Sequence, residues 1–439
     1  MTPAARMQAA IELYESMAGT QRPSDRVAAD YFRQRRYIGA KDRRNITLQC
    51  YGALRGHARI NWWIERCGGE ATPRRQILAW HLLANGESLD GLQARLGSGK
   101  YAPPASDADE AALLQGLATH TLDHPDQPAS VALEMPDWLM GPLQNALGDR
   151  LEVELTALRQ AAAVDLRVNS LKSDKGAVRR ALRDEGIETE PCPWSPLGLR
   201  IDGRRPVAAT KAFRDGLLEV QDEGSQLVAL LADAQPGQRV CDFCAGAGGK
   251  TLALAAAMEN KGQLLACDVL EKRLARSSVR LRRAGVHNVT RRALSSERDP
   301  WLKRQKKAFD RVLVDAPCSG SGTWRRNPEG KWRLSSEDLG ELLDLQERIL
   351  DSAARLVKPG GRLVYATCSL LREENEERVE NFLRGHSDFA LKPVKEIWPE
   401  LLGTDLPEGV QDHLRLFPAA HGTDGFFAAV LERQEVPDV

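Results

Sequence analysis

The sequence predicts a doubly wound α/β domain, preceded by a small α+β module and by an all-helical N-terminal domain. Apolar residues recur at helical spacing up to about residue 100, and strand-like alternation begins near Ala162. Strand-like and helix-like stretches then alternate from about Val207 to Val430. This order favours a largely parallel sheet with helical crossovers. We therefore place the domains at residues 1–135, 136–206 and 207–434.

The N-terminal domain is predicted from apolar residues that share helix faces. Ile46, Cys50 and Leu54 are four residues apart, so one face of a helix would carry all three. The apolar stretch Gln76 to Ala84 is stopped by Asn85-Gly86, which is a turn signal. Both patterns indicate packed helices.

The small module is predicted from a change of period. Val164 to Asn169 alternates like a strand, and Lys175 to Glu185 has helical spacing. Gly186 to Glu190 and Leu197 to Ile201 are both typical of short strands. The predicted element order is therefore β-α-β-β.

Composition is that of a soluble globular protein. The chain has 439 residues, 42% of them hydrophobic and 28% charged, and its formal net charge is zero. No run approaches the roughly 18 apolar residues of a membrane helix, and Met1 to Tyr14 lacks the apolar core of an export signal. We expect a cytoplasmic protein, and we expect it to be a monomer.

The eight cysteines are scattered, which favours reduced thiols over a disulfide framework. Cys241 and Cys244 form a Cys-x-x-Cys pair, but no second pair follows at the spacing of a zinc site. We therefore predict no metal.

Positive charge is concentrated in two stretches. Arg22 to Arg59 carries ten Lys or Arg residues against three Asp residues, and Glu271 to Lys307 carries thirteen against three acids. Such stretches in a neutral protein indicate a surface that faces a polyanion, although a merely solvated helix face is the alternative.

A glycine-rich turn lies between a predicted strand and a predicted helix. Gln238 to Phe243 is strand-like, Cys244 to Thr251 is the turn, and Leu252 to Met258 is an Ala-rich helix. Glycines at this position let the backbone approach a ligand at a helix N-terminus. The spacing fails the dinucleotide fingerprint and misses the phosphate loop at Cys244. An adenosyl-cofactor site is the third interpretation.

Asp268 favours that third interpretation. It ends the next predicted strand, about twenty residues after the glycines, where a carboxylate can hold ribose hydroxyls. The alternative role is a plain strand-end cap, but the nearby glycine turn makes the ligand role the better prediction.

Two cysteines follow predicted strand ends. Val312 to Val314 leads to Asp315-Ala316-Pro317-Cys318, and Leu363 to Tyr365 leads to Thr367-Cys368. Pro and Gly prevent the first stretch from continuing as a strand, so Asp315 and Cys318 belong on a loop at the carboxyl edge of the sheet, where ligands bind in α/β folds. Cys368 also falls just past a predicted strand end. If the strands are neighbours, two thiols flank one crevice. The residues alone leave open which cysteine would attack a substrate.

Taken in order, these motifs resemble the Sun/Nop/Rsm family of S-adenosylmethionine-dependent RNA (cytosine-5) methyltransferases. The resemblance covers about Pro136 to Glu432, and the N-terminal helices are similar to the NusB-like RNA-binding domain of some bacterial members. It rests on Asp242 to Thr251, Asp315 to Gly322, Tyr365 to Ser369, Leu166 to Lys172, Gln221 to Ser225 and Asp424 to Phe427.

The resemblance implies a Rossmann-like class I methyltransferase sheet, an RNA-recognition-like module and S-adenosyl-L-methionine as cofactor. It implies that Cys368 adds to C6 of cytosine, that Cys318 assists the final elimination, and that Asp315 contacts the base and the cofactor. Lys250 would orient this pocket. The implied cofactor-binding residues are Cys244, Ala245, Gly246, Ala247, Gly248, Gly249, Lys250, Asp268, Arg273 and Asp315.

A cluster of cations and tryptophans follows the Pro-Cys loop. Arg325, Arg326, Lys331 and Arg333 are interleaved with Trp324 and Trp332. Cations beside aromatic rings are typical of single-stranded RNA binding, so we predict that these four basic residues bind RNA. A solvated cluster anchored by core tryptophans is the alternative.

The chain departs from the family pattern twice. Gly246-Ala247 stands where the family has Ala-Pro, and Ala293 to Ser296 holds no carboxylate where the family has an acid near the adenine. We expect a hydroxyl or a backbone group to hold the adenine.

Ribosomal RNA is the predicted substrate, with transfer RNA as the alternative. A methyltransferase of proteins or small molecules would leave the cysteine pair unexplained. A non-catalytic RNA-binding assembly factor is the other alternative, and the altered Gly246-Ala247 turn is its best support.

Overall fold

Residues from Pro3 to Leu158 fold into helices, as the apolar spacing predicts. The computed structural model describes residues 1–201, 203 and 205–435. Thr2 accepts a hydrogen bond from the backbone N–H of Ala5 at 3.1 Å, and Pro3 takes the first helical position, so local chemistry starts the first helix. The helices are α1 (Pro3–Ala18), α2 (Ser24–Gln34), α3 (Ala40–Arg55), α4 (His57–Arg66), α5 (Pro73–Leu83), α6 (Leu89–Gln93), α7 (Ala108–Leu117), α8 (Ala129–Ala132), α9 (Asp137–Leu147) and α10 (Leu151–Leu158).

Helices α1 to α7 contribute to one apolar core that includes Met7, Leu13, Trp63 and Ile77, all buried. We call this part the helical unit; it comprises Met1–Gln144, Gly148–Gln160 and Trp324–Ser335. The second part, the sheet unit, comprises Asn145–Leu147, Ala161–Thr323 and the chain from Ser336 onward.

The sheet unit begins with a small antiparallel sheet in the order β2-β3-β1-β4. The predicted β-α-β-β order is present, but the sheet also contains a strand beyond the predicted boundary at residue 206. Leu166 lies opposite Val220 and Arg167 opposite Glu219, so this last strand pairs with the first. The elements are β1 (Val164–Val168), α11 (Lys175–Asp184), β2 (Glu190–Pro191), β3 (Gly198–Ile201), α12 (Lys211–Arg214) and β4 (Leu218–Val220).

The large sheet has the order β10-β12-β9-β8-β5-β6-β7, with β11 paired to β12. The pairs among β5 to β9 are parallel, whereas β12 is antiparallel to its neighbours. The strands are β5 (Arg239–Asp242), β6 (Gln263–Asp268), β7 (Val289–Ala293), β8 (Phe309–Asp315), β9 (Val357–Thr367), β10 (Phe389–Lys392), β11 (Leu414–Leu416) and β12 (Phe426–Arg433).

Successive strand residues point to opposite faces of this sheet, and both faces carry apolar side chains. Each face is therefore covered by helices. Val312 packs in the same apolar cluster as Ile349 and Phe382, whereas Leu313 packs in the cluster of Leu227 and Leu254. The helices are α13 (Glu223–Leu231), α14 (Gly249–Ala257), α15 (Glu271–Ala275), α16 (Ser277–Ala284), α17 (Gly330–Arg333, in the helical unit), α18 (Ser336–Ala354), α19 (Glu376–Gly385), α20 (Val394–Leu402) and α21 (Pro418–His421).

The strand order places the predicted site residues along one edge of the large sheet. Asp242 ends β5, Asp268 ends β6, Asp315 ends β8 and Thr367 ends β9, and these strands are parallel. Among the described residues, no helix has both the length and the hydropathy needed to span a membrane.

Candidate active site

A cavity of about 390 Å³ opens at this edge of the sheet. It brings together residues at or just past the ends of five strands that are far apart in sequence, which is where α/β folds bind ligands. The lining residues are Phe243, Cys244, Asp268, Val269, Leu270, Arg273, Leu294, Glu297, Asp315, Ala316, Pro317, Cys318, Leu345, Ile349 and Cys368.

The glycine turn adjoins the cavity through Cys244, and two of its positions require glycine. Gly246 and Gly248 have φ values of +54° and +82°, in the region that disfavours side chains. A Cβ on Gly246 would lie 3.0 Å from Nε of Arg273, and one on Gly248 would lie 2.8 Å from Cβ of Ser277. The turn therefore has no side chains at these two positions, which leaves its backbone open to a ligand.

Asp268 is buried and fastens the glycine turn. Its carboxylate accepts hydrogen bonds from the backbone N–H groups of Gly246 and Leu270, both at 2.7 Å. A carboxylate has about four acceptor positions, so lone pairs remain for hydroxyl groups of a ligand. The position fits both the ribose role and the capping role that the sequence suggested.

Asp242 is a functional candidate that the sequence analysis named only as part of a motif. It is fully buried, and burial raises its pKa to about 7, although a hydrogen bond of 2.6 Å from the Thr251 hydroxyl acts in the opposite direction. Its second oxygen, Oδ1, has no hydrogen-bond partner. A strand-end carboxylate directly before a glycine turn was the available signal.

Lys250 and Asp315 form an ion pair beside the cavity. The Lys250 Nζ lies 2.7 Å from Oδ2 of Asp315, and Lys250 is nearly buried, whereas a third of the Asp315 side chain is exposed. The lysine comes from the first turn of α14 and the aspartate from the end of β8, so the pair joins the glycine turn to the Pro-Cys loop. The ion pair thus fixes the position of the Asp315 carboxylate, and the role of Lys250 in orienting the pocket stays a prediction.

The two strand-end cysteines meet. The Sγ atoms of Cys318 and Cys368 are 3.5 Å apart, because β8 and β9 are paired neighbours and Asp315 lies opposite Ala366. The contact with the Cys368 sulfur, together with burial, raises the pKa of Cys318 well above its usual value. All eight cysteines lie in described residues and are free thiols.

Glu374 stabilises the Pro-Cys loop through hydrogen bonds. Its buried carboxylate accepts hydrogen bonds from the backbone N–H and the hydroxyl of Ser319, at 2.8 and 2.6 Å. The Nε2 of Gln346 donates to this carboxylate and to the carbonyl of Pro317, both at 3.0 Å. The residues on either side of Cys318 are thereby fixed. The sequence showed only an acidic stretch, so this role was missed.

Asn375 holds the other cysteine loop. Its Oδ1 accepts a hydrogen bond from the Thr367 hydroxyl at 2.5 Å, and its Nδ2 donates to the carbonyl of Ser369 at 2.9 Å. Cys368 lies between these two residues. The two cysteine loops are also joined directly, because the backbone N–H of Gly322 donates to the Cys368 carbonyl at 2.9 Å.

A carboxylate lines the cavity just beyond the stretch Ala293 to Ser296, which itself contains none. Glu297 lies one residue beyond this stretch and lines the cavity with Leu294. Its Oε1 is 2.8 Å from Nε of Arg348, so the carboxylate is held by a cation. The expected contact of the adenine with a hydroxyl or a backbone group stays a prediction, and Glu297 is a further candidate for that contact.

The predicted RNA-binding cluster needs correction. Arg325 and Lys331 are 6% and 2% exposed, so they are not available to RNA in this structure. Burial lowers the pKa of Lys331 to about 8. Arg333 is partly exposed, and its guanidinium donates to the backbone carbonyls of Met17 and Arg22 at 3.1 and 2.9 Å. Arg326 is partly buried and has interaction partners of its own.

The physical reason is that this segment folds into the helical unit. Trp324 is 2% exposed, and the carboxylate of Glu329 accepts a hydrogen bond from the backbone N–H of Ser24 at 2.8 Å. The alternative of core-anchored tryptophans therefore describes Trp324, but Arg325 and Lys331 are more buried than a solvated cluster would be.

Comparison with known proteins identifies the family. A family model described as 16S rRNA methyltransferase RsmB/F matches residues 229–432, and a model of the ferredoxin-like domain of RsmF/B-like methyltransferases matches residues 135–208. A probable ribosomal RNA small subunit methyltransferase B of Synechocystis sp. is 31% identical over 428 residues, which cover 93% of this chain and 95% of that protein. This chain belongs to the RsmB/F methyltransferase family.

Other relatives agree with the RsmB/F assignment. The ribosomal RNA small subunit methyltransferase B of Salmonella newport is 31% identical, with 90% of this chain and 91% of that protein covered. A solved structure of PH0851 has a TM-score of 0.81 at 29% identity and covers 99% of both chains. A methyltransferase homolog from Pyrococcus horikoshii has a TM-score of 0.60 at 31% identity and covers 69% of this chain. The predicted family and fold class are therefore confirmed.

Proposed function

We propose that this RsmB/F methyltransferase transfers a methyl group from S-adenosyl-L-methionine to C5 of a cytosine in ribosomal RNA. The observation that carries the proposal is the meeting of Cys318 and Cys368, 3.5 Å apart, beside Asp315 in one cavity. Two thiols beside a carboxylate suit covalent activation of a pyrimidine. A protein or small-molecule methyltransferase would need no such pair.

Cytosine C5 is too weak a nucleophile to accept a methyl group unaided. In the proposed reaction the Cys368 thiolate forms a bond to C6, which makes C5 enamine-like. C5 then takes the methyl group, and the electrons of the broken S–CH3 bond stay on sulfur, which gives S-adenosylhomocysteine. C5 next gives up its proton to water, and the electron pair of that C–H bond restores the double bond and expels Cys368 as a thiolate. A thiolate suits this role because it both adds and leaves readily.

The contact between the two sulfur atoms fits this division of roles. Contact with Cys368, together with burial, raises the pKa of Cys318, which favours a protonated thiol at that position. A protonated Cys318 can donate a hydrogen bond to the departing Cys368 sulfur and so assist the elimination step. The Asp315 carboxylate, held by its ion pair with Lys250, is suited to form a hydrogen bond with the cytosine ring.

Residues that line the cavity or adjoin its glycine turn fit the proposed cofactor, which would supply an electrophilic methyl group when bound. The unpaired, buried Oδ1 of Asp242 can accept a hydrogen bond from a cationic or N–H group. Gly246 and Gly248 keep the turn clear of side chains. Asp268 and Arg273 line the same cavity and can hold a ribose and a carboxylate, respectively.

The basic stretch of the helical unit is the proposed RNA contact. On α3, Lys41, Arg44 and Leu48 share one exposed face by helical spacing, and the Leu48 side chain is 59% exposed. Tyr37, just before this helix, is 76% exposed and next to the exposed Arg36. Exposed cations beside an aromatic ring can bind phosphates and stack on an unpaired base. We also propose that the chain acts as a cytoplasmic monomer.

The test is a denaturing gel of the Cys318→Ala variant purified from cells, with and without ribonuclease. Without Cys318 the elimination stalls, so we expect a slowly migrating covalent protein–RNA adduct. Ribonuclease treatment should return the protein close to its normal mobility. Sequencing the trapped RNA distinguishes ribosomal from transfer RNA. Cys267→Ala, which changes a thiol inside the same sheet, is the matched control and should give no adduct.

The Cys318→Ala/Cys368→Ala double variant should lose the adduct. If the single variant forms none while the wild type still methylates RNA, the proposed cysteine roles are wrong. If the wild type is inactive on RNA as well, the non-catalytic assembly factor becomes the better interpretation.

A further inference from the structure

Two arginines that have no role in the proposed reaction donate hydrogen bonds to backbone carbonyl groups of the glycine turn. Arg280, on α16, donates from Nη1 to the carbonyl of Ala247 at 2.8 Å. Arg167, on β1 of the small sheet, donates from Nη1 to the carbonyl of Gly249 at 2.9 Å. The two carbonyl groups flank Gly248, which has a positive φ.

A buried carboxylate fixes one of these arginines. Glu219 is 4% exposed, and its Oε2 accepts a hydrogen bond from Nη2 of Arg280 at 3.1 Å. Glu219 is also the cross-strand partner of Arg167 in the small sheet. Separating Arg280 from Glu219 would leave a buried charge unpaired, so this ion pair is costly to break.

Arg167 is itself buried, at 5% exposure, and also donates to the side-chain oxygen of Gln221. Burial lowers its pKa to about 10, so the guanidinium remains charged at neutral pH. Gln221 in turn donates from Nε2 to the hydroxyl of Ser225 on α13 at 3.0 Å. The contact with the glycine turn is therefore supported on the small-sheet side by a chain of hydrogen bonds.

We propose that Arg280 and Arg167 are positioning residues for the cofactor: they hold the carbonyl groups of Ala247 and Gly249 so that the glycine turn keeps its ligand-binding conformation. The peptide unit is planar, so a fixed carbonyl also fixes the following N–H group. Fixing the Gly249 carbonyl thereby orients the N–H of Lys250 in the first turn of α14. The small module thus supports cofactor binding in addition to any contact with RNA.

The proposal accounts for a departure noted in the sequence. Gly246-Ala247 is a conformationally freer pair than one that contains proline, so its native conformation needs other restraints. The Arg280 contact with the Ala247 carbonyl and the Asp268 contact with the Gly246 N–H supply two such restraints.

The test compares Arg280→Met with Arg283→Met in the full chain. Both arginines lie on α16 and both pair with Glu219, but only Arg280 bonds to the glycine turn. We expect Arg280→Met to raise the dissociation constant of S-adenosylmethionine about tenfold or more, the scale of losing a hydrogen bond from a charged group, when calorimetry is done without RNA. Arg283→Met should stay within about twofold of wild type.

Two further measurements separate positioning from simple loss of stability. Amide hydrogen exchange of Arg280→Met should accelerate at residues 245–251 and not across the large sheet. Arg280→Lys, which keeps the charge and one donor, should recover part of the affinity. If Arg280→Met does not fold, Glu219→Gln replaces it, with the same expected direction.

The inference rests on the proposed cofactor, and the two fail differently. If the wild type does not bind S-adenosylmethionine, the proposed function is overturned. If the wild type binds and the Arg280→Met and Arg283→Met affinities are equal, the positioning role is wrong while the proposed function stands.

Discussion

Two pairs of cysteines in one sheet show how position decides chemistry. Cys241 and Cys267 lie inside β5 and β6 and are fully buried in an apolar cluster. Cys318 and Cys368 lie just past the ends of β8 and β9 and line the cavity. Within each pair, contact with the second thiol and burial raise the pKa of one cysteine well above its usual value.

Thiol–thiol contact therefore does not distinguish the pairs; access and surroundings do. The interior pair is packed like small hydrophobic residues, the usual fate of a free cysteine. The edge pair is close to the Lys250–Asp315 ion pair, and the Glu374 carboxylate accepts a hydrogen bond from Ser319, the residue after Cys318. Reactive cysteines need such polar, accessible surroundings.

The largest expected effect separates the two pairs directly. Cys368→Ala should lower the rate of RNA methylation by a factor on the order of 10³ or more, the scale of losing a covalent nucleophile. Cys267→Ala should leave the rate nearly unchanged and lower the free energy of unfolding by about 1 kcal/mol, because one methylene-sized buried group is lost. Methylation assays and urea unfolding of both variants test the contrast, which disappears if Cys267→Ala is equally inactive.

A smaller effect is expected when the support of the edge pair is removed. Glu374→Gln replaces an acceptor oxygen with a donor amide facing Ser319, so the Pro-Cys loop loses a charged hydrogen bond. We expect kcat to fall about 10- to 100-fold, with S-adenosylmethionine affinity unchanged. Glu380→Gln, an exposed change on α19, the helix that begins two residues after Glu374, is the control. Equal kcat values for the two variants would show that Glu374 does not support the reactivity of the edge pair.

The smallest effect is a pH dependence of stability next to the interior pair. Asp242 follows Cys241 on β5, and its pKa rises from 3.8 to about 7 in the folded protein. Between about pH 4 and pH 7 the folded state binds a proton that the unfolded chain has released, so stability falls as pH rises across this window. Asp242→Asn, which is neutral throughout, should flatten this fall.

Thermal unfolding without ligand at several pH values measures this slope. Asp184→Asn, an exposed carboxylate change on α11, should keep the wild-type slope. An unchanged slope in Asp242→Asn would mean that Asp242 is already ionised in the folded protein below pH 7.

Local patterns predicted the elements that carry the site. The predicted strand Val312 to Val314 lies inside β8, and the predicted helix Leu252 to Met258 overlaps α14. Glycine, proline and apolar period act over a few neighbouring residues, so they can be recognised without tertiary information. The strand-end positions of Asp268, Asp315 and Cys318 followed from these patterns.

Long-range contacts could not be predicted in the same way. The hydrogen bond between Ser24 and Glu329 joins residues 305 positions apart, and no local pattern indicates that Lys331 would be buried nearby. Glu374 likewise supports a loop 55 positions earlier in the chain. A charged residue in a sequence has the same appearance whether it faces solvent, RNA or a buried partner.

The sequence by itself therefore determined the fold class, the family and the chemical groups at the strand ends, because these depend on local backbone preferences and on residue types in order. Only the tertiary structure decided which carboxylates support the cysteine loops, which arginines hold the glycine turn and which cations are buried. Those facts depend on strand order and side-chain packing, through which residues far apart in sequence come within hydrogen-bond distance.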